Sequence, residues 1–363
     1  MPRSRRSAHL RALTLFGGLV VAATSIPMGA AWATTPRAAR IAGRAPDART
    51  YRAPGAPRHL YPLPAAPVQP EPCPPPPIPP GRPGPPPPPP LVREGAIPLV
   101  GAPAPRHVNL AAVSGKGIWL TIWPGSALDV KSVIAIARAA GLHQLWVRTG
   151  SSHDGFYGGG VLRTLLPAAH AAGIAVIAWD FPTLSNPAVD ATRAAAALRA
   201  GVDGFGADIE SAAEGTYLSA RRVAYYLSLV RAAAGDKPLV AIVPRPTAYW
   251  LANYPYATEA AFVDVFAPAV YWSCTEPGTA VRNTMTALAR LRPVAPIGQD
   301  YNMASEGGRH GLPSGREIWR FLDVAHRAGA IGASLYDLES GSRPQLAALG
   351  AYPWKRSATR PPK

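Results

Sequence analysis

Five times in this chain a helical stretch closes on the same punctuation: "RAAG" at Gly141, "HAAG" at Gly173, "LRAG" at Gly201, "RAAAG" at Gly235 and "HRAG" at Gly329. Glycine suits the position just past a helix C-terminus, where the backbone turns left-handed. Between Gly117 and about Ser342 such stretches alternate with eight short apolar runs: "GIWLTIW", "LHQLWVRTG", "IAVIAWDF", "VDGFGADIE", "PLVAIVPRP", "VFAPAVYW", "VAPIGQDYN" and "GASLYDLES". Strand and helix alternating with a repeat of roughly 30 residues imply a parallel sheet with helices outside it. Eight units predict an α/β chain closed into a (β/α)8 TIM barrel. A doubly wound open sheet is the rival, and it normally carries a phosphate-binding glycine motif after the first strand. "GIWLTIWPGSALD" has none. Ser126 with Asp129, and Ser314 with Glu317, have capping-box spacing and mark two expected helix starts.

The flanks have another texture. Residues 1–33 carry a basic start, an apolar stretch from about Leu13 to Ala23 and Ala31-Trp32-Ala33 as a small-residue cleavage site. This pattern predicts a secretory signal peptide, because the apolar run is shorter than the roughly 20 residues a membrane span needs. Residues 34–107, with "PEPCPPPPIPPGRPGPPPPPP", lack any hydrophobic period and are expected to form a disordered proline-rich spacer. The barrel is expected over 108–350 and a basic tail over 351–363. Cys73 in the spacer and Cys274 in the body are expected to form no structural disulfide.

The net charge of +16 belongs to those flanks. Residues 1–116 hold 14 Lys and Arg against 3 acids, residues 117–350 hold 19 against 18, and the rest holds 4 against none. A nucleic-acid binder would concentrate base on its folded face. The excess fits weak association of the basic flanks with an anionic cell envelope instead, no nucleic acid, and an extracytoplasmic chain expected to be monomeric.

In such barrels the cleft lies at the C-terminal ends of the strands. Those ends are polar here: Arg148, Asp180, Asp208 with Glu210, Arg245, Tyr271, Asp300 with Tyr301, and Asp337 with Glu339. A spacing of two puts Asp208 and Glu210 on one face of the fourth strand. Gly204 and Gly206 on that face predict room for a substrate, and mutual repulsion of the carboxyls predicts a proton donor near neutral pH. Alternatively both acids pair with Arg148 or Arg245 and merely fix barrel geometry. Trp123, Trp179, Trp250, Tyr271, Trp272 and Tyr301 are candidates for stacking on sugar faces, Trp250 foremost because it follows the fifth strand in a loop. Asp190 falls in a helical stretch away from the strand ends.

"DGFGADIE", Asp203 to Glu210, resembles the fourth-strand signature DGxDxDxE of family 18 glycoside hydrolases, the chitinase-like enzymes. Asp203, Gly204, Asp208 and Glu210 match, and Gly206 stands where the middle acid is expected. The resemblance implies Glu210 as the acid protonating the glycosidic oxygen and Asp208 as the group orienting the substrate's acetamido nucleophile. "APAVYW" resembles the family's MxYD, with Tyr271 in the tyrosine place and Trp272 in that of Asp. "GASLYDLES" resembles GxxxWxxD, with Tyr336 for Trp and Glu339 for Asp. Family 25 muramidases also place an Asp-x-Glu pair on the fourth strand, but their Asp at the end of the first has no counterpart near Trp123.

No GxSxG elbow and no HExxH spacing occurs, so neither a serine hydrolase nor an obligatory metal is expected, and no cofactor. Two readings follow: a secreted glycoside hydrolase with Glu210, Asp208 and Tyr271 at the reacting bond, or a carbohydrate-binding barrel that kept the cleft and lost turnover. In both, Asp180, Arg148, Arg245, Trp250, Trp272, Asp300, Tyr301, Asp337 and Glu339 are the expected substrate contacts.

Overall fold

The computed structural model describes residues 89–104, 107–306 and 308–354. The expected signal peptide, most of the spacer and most of the tail lie outside them.

The parallel strands are β1 (Gly115–Leu120), β2 (Gln144–Ser151), β4 (Ala175–Phe181), β5 (Gly204–Asp208), β6 (Leu239–Pro244), β7 (Val265–Val270), β8 (Ile297–Gln299) and β9 (Gly332–Tyr336). Each pairs with the next, and β9 pairs with β1, so the sheet closes on itself. A two-residue strand, β3 (Gly155–Phe156), folds back antiparallel on β2. The outer helices are α1 (Val130–Ala139), α2 (Gly159–Ala171), α3 (Pro187–Arg199), α4 (Ala220–Ala234), the short α5 (Ala248–Asn253) and α6 (Tyr256–Ala260), α7 (Pro277–Leu288), α8 (Gly315–Arg327) and α9 (Arg343–Ala351). This is the expected (β/α)8 barrel. All five punctuating glycines have φ between 56° and 103°. Ser314 and Glu317 form a capping box on α8, whereas α1 starts later than its spacing suggested: Asp129 is itself the cap and accepts from the Ser132 amide.

Two cores result. Outward-facing residues such as Phe205, Ala207 and Ile209 pack under the helices. The barrel interior is filled by Trp119, Trp146, Ile177, Trp179, Val240, Ile242 and Ile297. Trp119 and Trp146 stack with centroids 4.7 Å apart and an interplanar angle of 10°. Their indole N–H groups are spent on Ser334 Oγ (2.8 Å) and Gln144 Oε1 (2.7 Å). The room that Gly204 and Gly206 were expected to leave for substrate is taken: a Cβ on Gly204 would stand 3.0 Å from Ile177 Cδ1 and 3.1 Å from the Pro238 carbonyl oxygen. A Cβ on Gly206 would stand 2.7 Å from Ile242 Cδ1 and 3.2 Å from Trp146. The glycines serve close packing, and the cavity begins one layer higher.

Both domain edges differ from expectation. Residues 89–104, assigned to the spacer, lie on the barrel: Ile97 is buried, and the Glu94 carboxylate meets Arg222 Nε at 2.8 Å. Arg222 also donates to the carbonyls of Leu184 and Val92. Proline content marked the segment as spacer, but one apolar side chain and one buried arginine suffice to hold it. At the other end Tyr352 and Trp354 are buried, with the Trp354 ring stacked on His326 at 4.7 Å. Cys274 is disulfide-bonded, which overturns the expectation of no disulfide. The chain's other cysteine, Cys73, lies outside the described residues. The proline-rich composition around Cys73 was a poor argument against a bridge, because a disulfide constrains the chain whatever the composition of the loop it closes.

Candidate active site

Asp208 ends β5 and faces inward; Ile209 turns outward into the core, and Glu210 turns inward again. The Ile209 carbonyl is fixed from behind by the buried Tyr254 hydroxyl at 2.6 Å, which also contacts Glu259 Oε1 at 2.7 Å. One hydroxyl hydrogen serves only one acceptor, so the second contact needs a proton on Glu259. Burial, which raises the Glu259 carboxyl well above its ordinary value, supplies that state.

Asp208 and Glu210 open onto a cavity of about 290 Å³ at the C-terminal mouth of the barrel. Its floor is Trp119, Trp179, Ile242 and Tyr336; its walls carry Arg148, Glu214, Arg245, Trp250 and Tyr271. Neither carboxylate is in an ion pair among the described residues, so the purely structural alternative with Arg148 or Arg245 is not what the fold adopts. Burial pushes Asp208 up to about 7, against the nearby positive charge of Arg148. Burial, then the charges of Asp208, Glu214 and Glu306, raise Glu210 well above the usual carboxylate range. Desolvation comes first and mutual repulsion second, the reverse of the emphasis drawn from spacing. Tyr271 is likewise raised far above the ordinary phenol value by burial, with Tyr301 and Tyr336 beside it.

The cavity thus brings together Glu210, Asp208, Tyr271, Arg148, Arg245 and Trp250. Other expected contacts lie elsewhere. Trp272 is fully buried and packs on Phe321 at 5.4 Å, so it cannot stack on a sugar. Asp180 is 1% exposed and bonded to Arg193 Nε at 2.7 Å; Arg193 also holds Asp190 at 2.8 Å. Both acids belong to that network, and Asp190 is no bystander on a surface helix. Tyr301 donates to Glu306 at 2.9 Å behind the Tyr271 ring. Asp300, fully buried, has neither oxygen hydrogen-bonded, and burial followed by the charge of Asp337 raises it well above the carboxylate range. Asp337 accepts from the Ser340 amide at 2.9 Å, and Glu339 from the Thr121 amide at 3.3 Å. None of these six lines the cavity.

Glu214 lines the wall and was missed from sequence. It follows Glu210 by four residues in the 3-10 turn Ala212–Glu214, capped by Ser211, and one of its oxygens is buried without a partner. The available signal was a third acid in the loop after a strand already rich in acid. Asp203, the first residue of the motif, sits at the opposite end of β5, accepting from the Val176 amide at 2.7 Å and contacting His170 at 2.9 Å. Among the described residues there is no cluster of three or more His, Cys, Asp or Glu fit to hold a metal, and no helix long and apolar enough to cross a membrane.

No family model matches this chain, and no curated protein sequence does. Solved structures do. The C-terminal domain of a putative chitinase from Desulfitobacterium hafniense DCB-2 is 11% identical with a TM-score of 0.50, over 65% of this chain and 98% of that one. The spore cortex-lytic enzyme SleL of Bacillus cereus is 11% identical at a TM-score of 0.50, over 65% and 73%. Active domain 2 of a chitinase from Pyrococcus furiosus, as catalytic-site mutants, is 9% identical at 0.50, over 67% and 97%. At such identities the likeness is one of fold: this chain has the (β/α)8 barrel those enzymes have.

Proposed function

We propose that this protein is a secreted glycoside hydrolase that cleaves a polysaccharide or cell-envelope glycan, with Glu210 as general acid. The observation that carries the reading is two inward carboxyls, one ending β5 and one two residues beyond it, sharing a cavity with aromatic rings and in no ion pair among the described residues. Glycosidic cleavage needs one carboxyl that keeps its proton to give to the leaving oxygen and another that meets the positive charge developing on the sugar. Glu210, raised by burial and by the carboxylates around it, takes the first role; Asp208, with the charge of Arg148 near it, takes the second, as the resemblance of "DGFGADIE" implies. Tyr271 stands at the same cavity to hold the reacting sugar, and Trp250 offers a stacking face at the wall. The signal-like residues 1–33 and the shared fold with a spore cortex-lytic enzyme support an extracytoplasmic site of action.

The test is a screen of the purified protein against neutral and acidic glycans, followed by Glu210→Gln on whatever is cleaved. Turnover should fall about 10²–10⁴-fold with the circular dichroism spectrum unchanged; near wild-type turnover would refute Glu210 as the acid. A second reading, a binding barrel without turnover, draws on Gly206, where Ile242 and Trp146 fill the space of the missing middle acid. It predicts a wild type that binds a glycan, cleaves none, and loses affinity on Trp250→Ala.

A further inference from the structure

Four arginines that the fold buries each hold a carboxylate: Arg193 on Asp180 at 2.7 Å, Arg222 on Glu94 at 2.8 Å, Arg231 on Asp264 at 2.6 Å and Arg309 on Glu317 at 2.8 Å. Arg148, 9% exposed, holds none, and its buried Nε has no hydrogen-bond partner. Its guanidinium lies 4.1 Å from the Trp123 ring centroid and 5.6 Å from that of Trp179. Contact with two aromatic faces fixes the guanidinium but uses its π-surface, leaving the in-plane N–H donors unspent. Arg245, half-buried at the end of β6, lines the same cavity and is in no ion pair among the described residues.

A buried guanidinium with no carboxylate bonded to it is costly to keep, and each of the other buried arginines among the described residues has one. Arg148 has only the longer-range charges of Asp154, Asp180 and Asp208, so at the cavity its hydrogen-bond donors are left for the ligand. We propose that the glycan taken up here carries an anionic substituent, a carboxylate or ester sulfate, gripped by Arg148 and Arg245 beside the Glu210 and Asp208 pair. The inference rests on the glycan reading above and narrows it to acidic sugars. Two oxygens on one carboxylate or sulfate group match the arginine fork with two parallel hydrogen bonds, which sugar hydroxyls cannot do as strongly.

The experiment is titration calorimetry on the full chain, with Glu210→Gln used to prevent turnover. The ligands are hexasaccharides of hyaluronan and of oligogalacturonate, their carboxyl-reduced neutral counterparts, and carboxyl-reduced chondroitin sulfate, which keeps sulfate alone. At least one acidic ligand should bind about 10–100-fold more tightly than its neutral counterpart. Arg148→Gln should abolish that preference, Arg245→Gln should shrink it, and Arg148→Lys should restore part of it and so exclude misfolding. The sulfate-only ligand tells which anion is read. Neutral and acidic glycans bound equally, or a preference that survives both glutamine substitutions, would overturn this inference and leave the hydrolase reading standing. Failure of every glycan to bind would overturn both.

Discussion

Asp180 near the end of β4 and Asp208 at the end of β5, its neighbour in the sheet, both have carboxyls pushed up by burial, to about 6 and about 7. The first is answered by Arg193, which also takes Asp190 and closes a charge network between strand and helix. The second feels the charge of Arg148 but is in no ion pair among the described residues, and next to it Glu210 faces carboxylates alone. Two acids set one strand apart thus do different work. Where the counter-ion is built in, the charge is architecture; where it is withheld, the proton stays mobile and available for chemistry.

That contrast breaks if the wrong site carries turnover. Glu210→Gln should cost the 10²–10⁴-fold in turnover given above, while its melting temperature holds or rises, because a desolvated acid has been removed. Arg193→Met should do the opposite. Leaving Asp180 and Asp190 buried without their cation costs about 3–5 kcal/mol, a fall in melting temperature on the order of 10 °C for a domain this size, with activity per folded molecule retained. Differential scanning calorimetry and active-site-normalised kinetics separate the two.

A pH series sharpens it. The folded value of Asp208, about 7, lies above that of an unfolded aspartate, so the folded chain binds more protons between roughly pH 4 and 7. This contribution to stability is present in acid and lost as pH rises through about 7. Asp208→Asn removes it, so the variant should gain a few degrees on wild type between pH 5 and pH 8. Asp180→Asn should lose stability at both, since it also strips Arg193 of a partner. At the small end stands Arg327→Ala, which breaks a pair with Asp323 whose arginine is 65% exposed. Its effect should be under about 1 kcal/mol; a larger fall would mean that surface pairs matter here as much as buried ones.

The βα repeat was legible because each unit repeats its own local signals, apolar run and terminal glycine, and the observed barrel follows them strand by strand. The Asp208 and Glu210 arrangement was legible for the same reason, since alternation along one strand is a local property. What sequence could not supply was pairing across the fold. Arg193 reaches Asp180 over 13 positions and Arg222 reaches Glu94 over 128, and nothing in local pattern says which acid finds an arginine. Volume was equally hidden: Gly206 looked like vacant space until Trp146 and Ile242 were seen to fill it. Trp272 shows the same limit, being placed beside Tyr271 in the chain and on the opposite face of the sheet.

Lys116, on β1, is buried with its ammonium on the carbonyls of Leu349, Gly350 and Tyr352 at 2.8, 3.0 and 3.1 Å, partners 233 to 236 positions away. Together with the β1 and β9 ladder, this makes the seam of the barrel a contact between the two ends of the domain. Contacts of such high sequence separation form late and slow a fold's completion. A growing chain therefore cannot close its seam until β9 exists, and every product that stops short of β9, however many βα units it holds, is left with two open strand edges.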